Sequence, residues 1–193
     1  MLSWRATESE RQTKLPDDEL LPEARGSSTH GITVQAPLAT VWPWLVQMGC
    51  GRAGWYSYDR LDNKGIPSAT SIRPELQDLR VSDILPFRPG SSEGFEVLRM
   101  DAPRLLVLGA YCRLPTLESL QWDAPRPKAF LRSTWGFYLR EGQNETRLIV
   151  RARGVVQPRW VGFPVNLVMG PAHAMMQRKQ LLNIRARVEA SPG

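Results

Sequence analysis

The groups in this chain that could do chemistry beyond packing are few: two histidines, two cysteines and scattered carboxylates. His173 sits in the segment Gly170-Pro171-Ala172-His173-Ala174-Met175-Met176, where helical spacing puts it at the Met169/Met176 edge of an apolar stripe. An imidazole there can line a cavity as a hydrogen-bond donor or general base. The competing role is that of a boundary histidine satisfied by backbone or water. Asp59 and Asp62, one turn apart in WYSYDRLDN, form a carboxylate pair or simply cap and solvate a short helix together with Arg60. Cys50, Cys112, His30 and His173 are the soft metal ligands, and none stands in C-x-x-C, H-x-x-x-H or H-E-x-x-H spacing. No metal and no cofactor is therefore expected.

Aromatic and thioether side chains supply the rest. Trp55, Tyr58 and Trp135 combine large apolar bodies with polar tips, which suits a pocket wall and equally an ordinary core. Met169 and Met176 are adaptable packing that also suits a cavity accepting several apolar ligands. Arg151 and Arg153 share one face of a strand. On a concave face they would grip a ligand carboxylate or phosphate; on a convex face they would be exposed, with Leu148, Val150 and Ala152 turned to the core.

Two short motifs invite stronger readings that their contexts refuse. Gly49-Cys50-Gly51-Arg52-Ala53-Gly54 matches G-x-G-x-x-G, but a helix precedes it and no parallel-sheet pattern follows, so it reads as a sharp chain reversal. Gly90-Ser91-Ser92-Glu93-Gly94 matches G-x-S-x-G, but it falls between two strands and not between a strand and a helix, so it reads as a hairpin loop.

The elements that must position these groups follow from periodicity. Residues 1–27 are polar, with proline and acidic punctuation, and read as a tail or a strap on the domain of residues 28–190. Gly31–Ala36 alternates as a strand. Leu38–Met48 is a short amphipathic helix in which Pro43 predicts a late start or a kink, and Trp55–Asn63 predicts a second short helix. Strands follow within 79–87 and 94–100, then a nearly continuous apolar strand at Leu105–Cys112 that belongs at the sheet centre. Ala129–Leu139 and Thr146–Arg153 complete about six strands around the turn Glu141–Asn144. A long helix from about Pro164 to Ala190 closes the chain, with one broad stripe through Val165, Val168, Met169, Ala172, Met175, Met176, Leu182 and Ala186. Leu181, Ile184 and Val188 form a second stripe, and Pro171 marks a kink or restart. Strands segregated from helices mean an α+β fold.

The 193 residues carry a net charge of +6, yet the arginines are scattered without a basic run or a recognisable nucleic-acid module, so no nucleic-acid partner is expected. A composition 42% hydrophobic and 23% charged excludes a collagen, a coiled coil, a disulfide scaffold and a disordered chain. The start MLSWRATESERQTK has no apolar run of a secretory signal. The apolar stretches Leu105–Ala110 and Val161–Met169 are too short for a bilayer core of about 30 Å. With only two cysteines, these features point to a cytoplasmic protein without stable membrane insertion.

The segments APLATVWPWLVQMGCGRAGWYSYDRLDN, ELQDLRVSD, STWGFYLREGQNETRLIVRAR and GPAHAMMQRKQLLNI resemble the SRPBCC (START-like, helix-grip) superfamily, specifically its bacterial polyketide cyclase/dehydratase-like branch, over residues 28–188. The resemblance implies a curved antiparallel sheet gripping the C-terminal helix over a deep apolar cavity that takes lipid-, sterol- or polyketide-like molecules. The six countable strands depart from the family's usual seven, and no catalytic residue carries over. Trp55, Tyr58, Trp135, Met169, His173 and Met176 are the expected ligand lining. A binding module is the first expectation. A cyclase/dehydratase-like enzyme using His173 with Tyr58 or Asp59 is the second, and an interaction protein without a cavity the third. Oligomeric state is left open by the sequence.

Overall fold

Leu105–Arg113, the continuous apolar run, forms a strand in which every residue but Arg113 is buried. Such a strand must be covered on both faces, and the architecture supplies both covers. The computed structural model describes residues 4–191, apart from the side chains of residues 161 and 163–169.

Six antiparallel strands make one sheet in the order β1-β6-β5-β4-β3-β2. They are β1 (Ser27–Val34), β2 (Ile84–Pro86), β3 (Gly94–Asp101), β4 (Leu105–Arg113), β5 (Phe130–Glu141) and β6 (Thr146–Gln157). Two short helices, α1 (Glu8–Gln12) and α2 (Asp17–Leu20), precede β1. Two more, α3 (Leu38–Val46) and α4 (Asp59–Asp62), follow it, and α5 (Arg159–Ala190) ends the fold. This is the α+β helix-grip arrangement, a curved antiparallel sheet around a long C-terminal helix.

Strand alternation sorts the side chains onto two faces. The inner face carries Ile32, Val34, Leu106, Leu108, Phe137, Leu139, Leu148 and Val150, packed with α3 and with Leu181, Ile184 and Val188 of α5. The outer face carries Leu105, Val107, Tyr138 and Ile149, covered by Leu15 from the N-terminal segment.

That segment is held by polar bonds at several points. Arg151 Nη2 donates to the carbonyls of Glu10 and Arg11, its Nη1 donates to the Thr13 carbonyl, and the same nitrogen pairs with Asp18 at 3.1 Å. Arg153 pairs with Asp18 at 3.1 Å and donates to the carbonyl of Ala24. Arg147 pairs with Glu10 at 2.8 Å and pulls that carboxyl down to about 2. Both Arg151 and Arg153 thus lie on the face away from the core, yet neither is exposed in the way a bare convex strand would leave it. The strap supplies carbonyls and a carboxylate that replace solvent.

Other local expectations are corrected. The helix expected over Trp55–Asn63 is confined to Asp59–Asp62, because Tyr56 adopts a left-handed φ of 58° that no helix accommodates. The C-terminal helix starts earlier, at Arg159 after Pro158, and runs through Pro171. Helix α3 starts at Leu38 with Pro43 inside it, so there is no late start. On α5 the buried face is the second stripe, Leu181, Ile184 and Val188, extended by Gln177 and Gln180, whereas Met175 is 50% exposed.

Candidate functional site

Leu181, Ile184 and Val188 meet the sheet in continuous apolar contact. Further toward the helix start, from Gln180 to His173, space remains between the layers. It is a cavity of about 550 Å³. Trp55, Phe87, Phe95 and Trp135 form its aromatic wall, and Met176, His173, Gln177 and Gln180 of α5 face them. Ser57, Leu61, Asp62, Ser133 and Ala152 complete much of the lining.

The wall is one contiguous ring cluster. Trp55 lies 5.4 Å from Trp135 and 5.6 Å from Phe95 between centroids, and Phe95 meets Phe87 at 4.8 Å, edge to face. Strand alternation on β5 puts Ser133, Trp135, Phe137 and Leu139 on the inner side, and Ala152 of β6 lies opposite Trp135. The small Ala152 side chain leaves the space that a leucine would occupy.

Trp55 is delivered by the glycine turn. Gly49 and Gly54 exchange backbone hydrogen bonds of 3.1 and 3.0 Å, which reverses the chain after α3. Gly54 has φ +78°, and a Cβ there would fall 2.3 Å from Ser68 Oγ, so only glycine fits. Residues 55–57 are then sewn to α5. Gln180 Nε2 donates to the Trp55 carbonyl at 2.9 Å, Asn183 Nδ2 to the Tyr56 carbonyl at 2.8 Å, and Ser57 Oγ to the Met176 carbonyl at 3.1 Å. Tyr56 itself is fully buried, with its hydroxyl accepting from Gln47 Nε2 at 2.8 Å. Its left-handed backbone turns Trp55 and Tyr58 to different surroundings.

Two titratable residues, His173 and Asp62, border the cavity. His173 Nε2 is buried and unpaired, its ring 6.1 Å from that of Trp135. Burial holds its pKa below the usual imidazole range, so the ring is neutral near pH 7. Both carboxylate oxygens of Asp62 are buried, with the Ser57 hydroxyl and the backbone amides of Tyr58 and Asp62 close by. Burial, and then the charge of Asp59, push the Asp62 carboxyl up to about 6, with the nearby Ser57 hydroxyl and the amides of the turn pulling it partly back. Asp59 is engaged elsewhere, accepting from Ser68 Oγ at 2.5 Å. The two carboxylates therefore have different surroundings: Asp59 is bonded to Ser68, and Asp62 is buried within its own turn at the cavity border.

Of the residues expected to line a ligand site, Trp55, Trp135, His173 and Met176 border this one cavity. Tyr58 does not. It borders a separate open depression with Asp59, Arg60 and Gly65, because the chain is not helical between Trp55 and Tyr58. The expectation for Met169 lies outside the described residues. Phe87, Phe95, Asp62, Gln177 and Gln180 were not foreseen. The signal for the glutamines was present, since Gln177, Gln180, Leu181, Ile184 and Val188 share one helical face. Among the described residues no three His, Cys, Asp or Glu side chains converge as a metal site, and no helix is long and apolar enough to cross a membrane.

No family model matches the chain, and no curated protein matches it significantly in sequence. Solved structures with a similar course of chain include several bacterial proteins. A protein from Arthrobacter aurescens is 14% identical, with 94% of each chain covered and a TM-score of 0.46. One from Chromobacterium violaceum is 13% identical, covering 86% of this chain and 98% of its own, with a TM-score of 0.46. CalU16 from Micromonospora echinospora is 15% identical, covering 85% and 84%, with a TM-score of 0.39. Likeness at this level concerns the course of the chain and says nothing of ligand or reaction.

Proposed function

We propose that this chain, as a START-like helix-grip protein, binds a small hydrophobic or amphipathic ligand of the lipid, sterol or polyketide-like class between the sheet and α5. The observation that carries this reading is the cavity of about 550 Å³ walled by Trp55, Phe87, Phe95, Trp135 and Met176. Its volume lies within the range of roughly 300–1,000 Å³ typical of small-molecule sites, and a mostly apolar lining with a few polar groups is the usual composition of such sites. Native mass spectrometry of the purified full chain tests it. A co-purifying apolar molecule is expected, or saturable uptake of an apolar fluorescent dye that Ala152→Leu abolishes. A chain that takes up neither overturns the reading.

A second reading, a polyketide cyclase/dehydratase-like enzyme, is favoured by one observation. Asp62 and a neutral His173 border the same cavity, and His173 Nε2 has no hydrogen-bond partner there. A neutral imidazole can take a proton from a bound substrate, and a carboxyl raised toward neutrality can return one. A linear polyketide-like substrate incubated with the chain should then be isomerised to a ring, read by NMR, or lose water, read by mass, and His173→Gln should stop the change. A ligand recovered unaltered supports binding alone.

A further inference from the structure

The cavity stops at one level on each of the elements that enclose it. On β5 the inner face runs Ser133, Trp135, Phe137, and only the first two border the space. Phe95 of β3 and Ala152 of β6 border it and are half-buried. The inner-face residues that follow them, Val97 and Val150, are fully buried core, as is Phe137. On α5 the lining runs from His173 to Gln180, and Leu181 and Ile184 beyond it are closed against the sheet. The space is therefore a slot that is blind at this end. Its depth along α5, from His173 to Gln180 at the helical rise, is about 10 Å. Leu61 borders the slot and is 69% exposed, which marks the open side.

The blind end carries amides, yet they are engaged with one another. Gln177 and Gln180 are both buried. Gln177 Oε1 accepts from Trp135 Nε1 at 2.9 Å, and Gln177 Nε2 donates to Gln180 Oε1 at 2.7 Å. Gln180 Nε2 donates to the Trp55 carbonyl at 2.9 Å. Each amide oxygen and nitrogen of this bridge already has a partner within the protein. A polar ligand group pushed against it would give up its water for groups already engaged, which is costly, whereas an apolar end gives up nothing. We propose that Gln177 is a specificity-determining residue of the cavity: the bridge it completes between Trp135 and Gln180 is a floor that admits only the apolar end of a ligand. The ligand then enters tail first, and its polar group stays on the side of Leu61. This inference rests on the cavity-binding reading above and adds the ligand's orientation and the length of its buried part.

The test uses the full chain and two series of probes: the straight-chain 1-alkanols from hexanol to dodecanol, and the α,ω-diols of the same lengths. Affinities are measured by displacement of an apolar dye and by calorimetry. In the wild type each added carbon should tighten alkanol binding by about threefold until the chain reaches the floor, after which the gain stops. Octan-1-ol should bind at least about tenfold more tightly than octane-1,8-diol, whose inner hydroxyl is stripped of water. Gln177→Ala should bring the diol level with the alcohol or above it. With the amide gone, the inner hydroxyl accepts from Trp135 Nε1 and donates to Gln180 Oε1, the two bonds that Gln177 makes in the wild type. An unchanged ratio in the variant assigns Gln177 to stability alone and overturns its part in selection. Equal binding of octan-1-ol and octane-1,8-diol by the wild type, or a gain per carbon that runs unbroken to dodecanol, overturns the floor and leaves the cavity reading standing. Failure of the dye and all the alkanols to bind overturns both. Should Gln177→Ala not fold, the wild-type ratio and the break in the alkanol series decide.

Discussion

Trp135 Nε1 donates to Gln177 Oε1 over 2.9 Å, and this bond ties strand β5 to helix α5 at the wall of the cavity. It is the first link of a chain that continues through Gln177 Nε2 to Gln180 Oε1 and from Gln180 Nε2 to the Trp55 carbonyl. Apolar side chains at these two helix positions would draw the layers together. The glutamines are instead satisfied across the gap, so they hold sheet and helix apart while leaving no orphaned amide of their own.

Gln177→Leu should therefore destabilise the chain by about 1–3 kcal/mol, because the Trp135 indole N–H and the Gln180 Oε1 acceptor both lose their partner. Urea unfolding measures the loss. The same variant should redshift less of its tryptophan emission than the wild type when an apolar ligand is displaced, since leucine occupies part of the space that water would re-enter.

Ala152→Leu should remove ligand uptake with little change in fold. Ala152 borders the cavity opposite Trp135, so the added methylene and methyl groups enter open space. Overpacking of a filled core costs about 1–3 kcal/mol, whereas here the unfolding midpoint should hold or rise. A large drop in midpoint would mean that the space at Ala152 is already filled.

The pH response of Asp62 has a defined sign. Its pKa is raised from 3.8 to about 6, so in the free protein the ionised form is penalised by folding. The cost is complete above pH 6, shrinks as pH falls from 6 to 3.8, and is absent below that. Asp62→Asn should thus stabilise the ligand-free chain at pH 8 by about 1 kcal/mol, a figure discounted because solvent screens a half-buried group. The gain should fade at pH 4.5 in paired urea titrations. His173 acts in the opposite sense, because burial lowers its pKa and stability is lost as pH falls below the unfolded imidazole value.

Arg151→Met should free the N-terminal strap. The guanidinium is buried and carries the Glu10, Arg11 and Thr13 carbonyls together with Asp18 and the Thr29 hydroxyl. Removing one side of a buried charged network costs about 3–5 kcal/mol. Limited proteolysis should cut within residues 4–24 faster than in the wild type, and intact mass spectrometry locates the cuts.

Much of the architecture was legible because it depends on local periodicity. The alternation Leu131, Ser133, Trp135, Phe137, Leu139 assigns the inner face of β5, and the unbroken run at Leu105–Cys112 requires covers on both sides of β4. The site was legible only in part. Trp55, Trp135, His173 and Met176 were chosen by residue type and edge position, and all four border the cavity. Met175 and Ala186 were placed on the packed stripe by hydrophobicity but face solvent. Glutamines occupy the core-facing positions there, and polar residues at such positions hide the true phase of a helix.

By its own residues the chain determined which segments become strand or helix, because those preferences are settled by near neighbours and side-chain period. The tertiary structure alone decided which polar groups were satisfied. Asp59 and Asp62 are three residues apart and alike in sequence, yet one meets Ser68 and the other is buried within its own turn at the border of an aromatic cavity. Arg151 was undecided between a ligand clamp and a solvated surface until the strap was seen lying over it. Hydrogen bonds and desolvation are decided by which distant segments meet, and a linear order of residues does not contain that meeting.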